Sequence, residues 1–339
     1  MVLGFQAVAE LIQQMQQTEA ALPLKHPACR SRFFLHSQPT SKVCLFFHGF
    51  TAAPYQFEPL GEALFRAGYN VLVPLQPGHG RAGNWNRRNP PPLPLEIQAY
   101  QKFALEWLEI AQAAGENLVI GGLSTGGTLA AWLALEYAAV IDRTLLFTPY
   151  LASKSPLEDW FIKLMPIYFE WFNKNAPGNF GYQGFPVPAL RIFLELGQQI
   201  LRQAQSQPSA PLLMVCSEAD QAVSRTRQQD YFKAVIQGQP HGWYYCFDDS
   251  LKIEHRMMTR LEDNDYEELV IVLAQAFIDS NLTWNQFQQL ATLMAQGKFD
   301  ENILAQEFHL NTPACSQLSK MMTNVYGCNN LECINPFLK

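Results

Sequence analysis

The chain is 339 residues long, 48% hydrophobic, 12% aromatic and 16% charged, with a formal net charge of −6. Such a composition can bury a large core, in one domain or a domain with an appendage, and it excludes a disordered or coiled-coil chain. The acidic balance argues against a generally basic nucleic-acid binder, and no run of about 18 apolar residues predicts a transmembrane helix.

Residues 2–17 have the apolar spacing of an amphipathic helix. Gln6, Glu10, Gln13 and Gln14 interrupt any apolar run, so it does not read as a leader. No lysine or arginine lines its polar face, so an N-terminal helix within residues 1–25 is expected to pack on the body rather than on a membrane. Seven cysteines, at 29, 44, 216, 246, 315, 328 and 333, form no C-x-x-C pair and read as reduced thiols of a cytoplasmic protein. Cys315, Cys328 and Cys333 with His309 fit no common ligand spacing, so neither a metal nor an organic cofactor is expected.

Short apolar runs then alternate with helical patterns. Strands are expected at Val43–Phe47, Val71–Val73, Leu118–Gly121, Thr144–Phe147, Leu212–Cys216 and Trp243–Phe247, with an edge strand within 30–37. Helices are expected at Tyr55–Ala67, Leu95–Ala114, Thr125–Ala138, Ser224–Ile236 and Asp265–Asp279. That alternation predicts an α/β fold with a mostly parallel sheet between helices, built from residues 26–150 and 209–280. Residues 151–208 are too long for a plain crossover and rich in aromatics and prolines, so they read as an inserted helical cap. Residues 281–339 read as a helical C-terminal extension.

The most informative stretch is Leu118 to Gly127, where a strand runs into Gly122-Leu123-Ser124-Thr125-Gly126 and a helix leaves. G-x-S-x-G in a strand–turn–helix setting holds a serine on a tight, strained turn, with glycines where side chains would collide. Ser124 is therefore the candidate nucleophile. A tetrahedral oxyanion needs two aimed N–H donors. Thr125, after the nucleophile, supplies one. Phe50, in the His48-Gly49-Phe50 turn after the first buried strand, is expected to supply the other. Gly49 would permit the bend, and His48 reads as a loop-shaping residue rather than a proton shuttle.

The segments FFHGFTAAPYQFEPLGEALFRAGYNVLVPLQPGHG (46–80) and GGLSTGG (121–127) resemble the α/β-hydrolase superfamily, above all bacterial carboxylesterases and the monoacylglycerol-lipase and serine-aminopeptidase-like group. The resemblance spans roughly 40–280. It implies an eight-stranded sheet, a cap between strands six and seven, and a triad in the order Ser, Asp, His. Pro77-Gly78-His79-Gly80 matches the same pattern and reads as a structural loop near the site. The acid is then expected just past Leu212–Cys216, where Asp220 and Val223 match D-x-x-V; Glu218 is its rival. For the base, His241 precedes the strand Trp243–Phe247 and so falls at its amino end. His255 follows it and falls at the carboxyl end, where catalytic groups of open α/β sheets gather. Glu254 beside it departs from the small residue usual in similar enzymes and could raise the histidine if it turned inward.

The combined expectation is a serine hydrolase that cleaves carboxylic esters with a hydrophobic or medium-length acyl group, taking a small ester or lipid-like substrate. Thioester or peptide-type acyl hydrolysis, and a non-catalytic binding or regulatory protein on the same fold, are the alternatives. The order of helices in 282–334 resembles the helix-turn-helix of LuxR-type regulators. Across 281–339, Lys298, Lys320 and Lys339 are set against Asp300, Glu301, Glu307 and Glu332, a net −1 that argues against nucleic acid.

Overall fold

The structure, a computed structural model, describes residues 5–172 and 178–295. Readings that fall elsewhere, including most of the C-terminal extension and the cluster of His309 with Cys315, Cys328 and Cys333, lie outside the described residues.

The helix α1 (Phe5–Ala20) buries Val8 and Ile12 and packs on α3 (Ile97–Ala114). The seven-stranded sheet has the order β1 (Arg32–Phe34), β3 (Asn70–Val73), β2 (Lys42–Phe47), β4 (Asn117–Leu123), β5 (Arg143–Phe147), β8 (Leu212–Ser217) and β9 (Gly242–Phe247). The edge strand β1 runs antiparallel to β3, and every other neighbour is parallel. The apolar runs are the cause: β3, β8 and β9 are buried at every position, as a sheet covered on both faces requires. The eight strands implied by the resemblance are seven among the described residues. The segment ahead of β1 carries helical spacing and forms α1, so it adds no strand. The residue patterns alone predict the seven that form.

Around the sheet, α2 (Glu58–Arg66) packs against α8 (Glu267–Ile278). A second layer runs from α3 through α4 (Thr125–Glu136) and α6 (Val187–Gln203) to α7 (Arg225–Gly238). The inserted segment is not purely helical. Between α5 (Pro156–Leu164) and α6, β6 (Tyr168–Glu170) pairs antiparallel with β7 (Gly184–Pro186). After α8, the chain continues into α9 (Trp284–Ala295), where Phe287 stacks on Trp243 at 4.4 Å and Trp284 meets Phe232 at 5.0 Å. No helix among the described residues is long and apolar enough to cross a membrane.

Candidate active site

The carboxyl ends of β2, β4, β8 and β9 and the segments that follow them carry all the predicted site residues. Because these strands are parallel, their carboxyl ends share one edge of the sheet. Register keeps them level: Phe47 pairs with Gly122, Leu123 with Phe147, and Ser217 with Phe247. This is the edge where open α/β sheets collect ligands.

Ser124 caps α4 with φ 56° and ψ −119°, a backbone state that costs a non-glycine residue on the order of 1–3 kcal/mol and persists only where its surroundings enforce it. They do so here. The Ser124 N–H donates to the Phe147 carbonyl at 3.0 Å, and its carbonyl accepts from the Thr128 and Tyr150 amides at 2.9 and 3.0 Å. The two flanking glycines let the turn close. A Cβ on Gly122 would lie 2.2 Å from the Gly126 backbone, and one on Gly126 would lie 2.1 Å from the Phe47 carbonyl oxygen. Ser124 keeps 8% of its surface open, at a helix N-terminus whose dipole favours developing negative charge.

Thr125 opens α4, so its N–H has no intrahelical acceptor. The loop after β2 has the amides either side of Phe50 engaged: Gly49 N–H donates to Gln56 Oε1 at 2.8 Å, and Thr51 N–H to His79 Nε2 at 3.1 Å. The Phe50 N–H between them has no partner among the described residues. Thr51, at φ 59°, is pinned further by the inserted segment. Its carbonyl accepts from Tyr182 N–H at 2.8 Å, and its hydroxyl accepts from Trp171 Nε1–H at 2.8 Å. His48 is fully buried; its Nε2 accepts from Gln76 N–H at 3.1 Å, and burial together with His79 holds its pKa well below the ordinary value. Burial likewise takes His79 down to about 4. Both rings are neutral and hold loops.

Asp220, in the loop after β8, places Oδ2 2.7 Å from His255 Nδ1, while its Oδ1 accepts from Ala222 N–H at 2.7 Å. A carboxylate can only accept, so His255 carries its proton on Nδ1 and leaves Nε2 free. Burial pulls the His255 pKa down, but the Asp220 charge and hydrogen bond outweigh it, and the net direction is up. The rival Glu218 instead pairs with Arg225 at 2.6 Å. His241 sits at the amino end of β9, with Nδ1 3.1 Å from the Asn281 carbonyl.

A family model described as the alpha/beta hydrolase fold matches residues 42–199. Among solved structures, the chain is similar to one described with the metagenome-derived lipolytic enzymes LipS and LipT (19% identity, 75% of this chain and 98% of that one, TM-score 0.59). It is also similar to a soluble variant of the monoglyceride lipase of Saccharomyces cerevisiae (13% identity, 74% and 90%, TM-score 0.59). The chain has the α/β-hydrolase fold. Among curated proteins, 102 residues are 34% identical to a thermostable monoacylglycerol lipase of Bacillus sp. (strain H-257); the match spans 30% of this chain and 38% of that relative's length.

The family match stops ahead of Asp220 and His255, so their pairing is a finding of the structure alone. Two features of this chain escape sequence reasoning. Glu254, the suspected acidic neighbour of the base, is exposed. The carboxylate that does lie inward is Glu262, whose side chain is 2% exposed. The second is the clamp from Trp171 and Tyr182 onto Thr51. Neither has a local motif, because each joins residues more than 100 positions apart or lies in an irregular turn.

Proposed function

We propose that this chain is a serine hydrolase of carboxylic esters with hydrophobic or medium-length acyl groups, with Ser124 as nucleophile, His255 as base and Asp220 as its orienting acid. The observation that carries the reading is the 2.7 Å contact of Asp220 with His255 Nδ1. It frees Nε2 at the sheet edge where strained Ser124 is presented. In the reaction, Ser124 Oγ attacks the ester carbonyl carbon while His255 Nε2 takes the hydroxyl proton. The Phe50 and Thr125 amides receive the oxyanion. Collapse of the tetrahedral species breaks the bond to the alcohol, which leaves with the proton from His255. Water then attacks the acyl-enzyme, gives its proton to His255 and releases the carboxylic acid, and the serine regains its hydrogen.

The apolar walls support the acyl preference. The Phe50 ring meets Phe185 at 4.9 Å and Phe193 at 6.0 Å, and Phe169 and Trp171 extend the cluster through Phe185. Lipase relatives make a small lipid ester the favoured substrate. On this reading residues 151–208 are the lid of the pocket, and the free thiols at Cys29, Cys44, Cys216 and Cys246 favour the reducing cytoplasm.

The test is labelling with a fluorophosphonate, peptide mapping of the labelled residue, and turnover of p-nitrophenyl esters of increasing chain length. Label on Ser124 with turnover of butyrate and longer esters is expected. Label elsewhere, or undiminished turnover in Ser124→Ala, sinks the reading.

A further inference from the structure

Behind the base loop lies a second carboxylate that the reaction above does not use. Glu262 ends the helical turn Arg260–Glu262 and is buried. Burying a carboxylate is costly unless its oxygens are met by donors. Every partner here can donate: Tyr55 OH lies 2.8 Å from Oε1, Gln56 Nε2 lies 3.2 and 3.0 Å from the two oxygens, and Arg256 stands 3.8 Å away. Gln56, itself 2% exposed, uses its other end on the oxyanion loop, where Oε1 accepts the Gly49 N–H. Its amide cannot be turned around: the carboxylate only accepts and the Gly49 N–H only donates. One side chain therefore bridges a carboxylate on the base side and the peptide next to the Phe50 donor. An apolar plug would hold two loops together without the cost of burying a charge.

We propose that Glu262 is a positioning residue that ties the base loop to the oxyanion loop through Gln56 and, with Asp220, supports the imidazolium of His255. The proposal rests on the serine-hydrolase reading. Three groups act electrostatically on His255: Asp220 from the loop after β8, Glu262 from its turn, and Arg256 from its own loop. The two carboxylates favour the imidazolium and Arg256 opposes it. For Glu262, burial raises the carboxyl and outweighs Arg256, Tyr55, Gln56 and His255, which favour its charged form, so the net direction is up.

The experiment compares wild type, Glu262→Gln and Gln56→Met by p-nitrophenyl butyrate kinetics across pH, with each rate divided by the fraction of Ser124 that takes a fluorophosphonate. Glu262→Gln is expected to lower kcat about tenfold to a hundredfold with KM within about threefold, and to move the acid limb of kcat/KM down by roughly half a pH unit. Gln56→Met, which keeps the carboxylate, is expected to lower kcat and leave the acid limb in place. Wild-type kcat per labelled site in both variants, or a melting-temperature loss with kcat and acid limb unmoved, overturns the proposal. Should Glu262→Gln not fold, Gln56→Met decides alone: a wild-type kcat per site overturns, and a lowered kcat with an unmoved limb supports. A wild type that takes no label at Ser124 overturns the hydrolase reading and this proposal with it. A labelled, active wild type with unchanged variants overturns this proposal only.

Discussion

Helices α4 and α5 are both rich in apolar residues, yet the fold treats them in opposite ways. Every residue of α4 from Thr125 to Leu135 is buried, against β2, β4, β5 and α6. No residue of α5 is buried, and Leu157, Trp160 and Leu164 are 72%, 55% and 52% exposed. A helix apolar all round has to be core, and its rigidity is what the strained Ser124 backbone at its N-cap needs. A helix with an open apolar stripe offers a surface for interaction. α5 starts at the reacting edge: just ahead of it, Ser153 bridges to Val223 beside the acid loop, and Ser155 caps its first turn at Glu158 N–H. On the proposed reading, precision and apolar capture fall to different helices.

The sharpest break of that contrast is steric. Gly126→Ala drives a Cβ to within 2.1 Å of the Phe47 carbonyl oxygen, a backbone atom with no freedom to retreat. It is expected to cost about 3 kcal/mol or more, read as a collapsed thermal transition or insoluble protein. Ser124→Ala inherits the same backbone with no new atoms, so its melting temperature should hold while ester turnover falls on the order of 10⁴-fold or more. Asp220→Asn should lower kcat by about 10³- to 10⁴-fold, because the amide can present a donor to Nδ1 and disturb the tautomer.

The same pair sets the pH profile. On the proposed mechanism His255 works as a base only when neutral, so activity is expected to fall as pH drops through its pKa. With that pKa raised, the acid limb of kcat/KM is expected above the ordinary imidazole value of 6.5. Asp220→Asn removes the main upward influence and leaves burial and Arg256, which act downward, against the smaller upward pull of Glu262, so the limb should move below 6.5 in whatever activity remains. A limb unmoved by the substitution would separate it from His255.

What could be read in advance follows from how local each cause is. The elbow was legible because its strand, its strained serine and both glycines lie within ten residues, Leu118 to Gly127. Strands β2, β4, β5, β8 and β9 were legible because burial on both faces writes a continuous apolar run. Asp220 and His255, expected from their residue types after β8 and β9, do pair in the structure; in the sequence the D-x-x-V spacing favours Asp220 over Glu218, and the end of the sheet favours His255 over His241. The small β6–β7 sheet was not legible: Tyr168–Glu170 and Gly184–Pro186 are three residues each, too short for alternation to show. Glu262 was not legible because its importance comes from Tyr55 and Gln56, which approach it from about 200 residues away in sequence. Glu254, next to His255 in sequence, does not turn inward and lies in solvent.

The smallest expected effect probes the exposed side of the contrast. The paired substitution Leu157→Ser and Trp160→Ser removes two open apolar side chains from α5 and buries nothing polar, so stability should change by no more than about 0.5 kcal/mol per site. If these side chains cover an acyl chain, they remove part of its surface from water only while substrate is bound. Losing about 1 kcal/mol of such contact corresponds to roughly fivefold in binding. KM should therefore rise about three- to tenfold for p-nitrophenyl decanoate and stay unchanged for the acetate, which is too short to reach them. An equal change for both esters would mean that the substitution reaches the reacting groups. No change for either would leave α5 outside the substrate pocket and shift acyl recognition to the Phe50, Phe185 and Phe193 cluster, where the walls are already buried against each other.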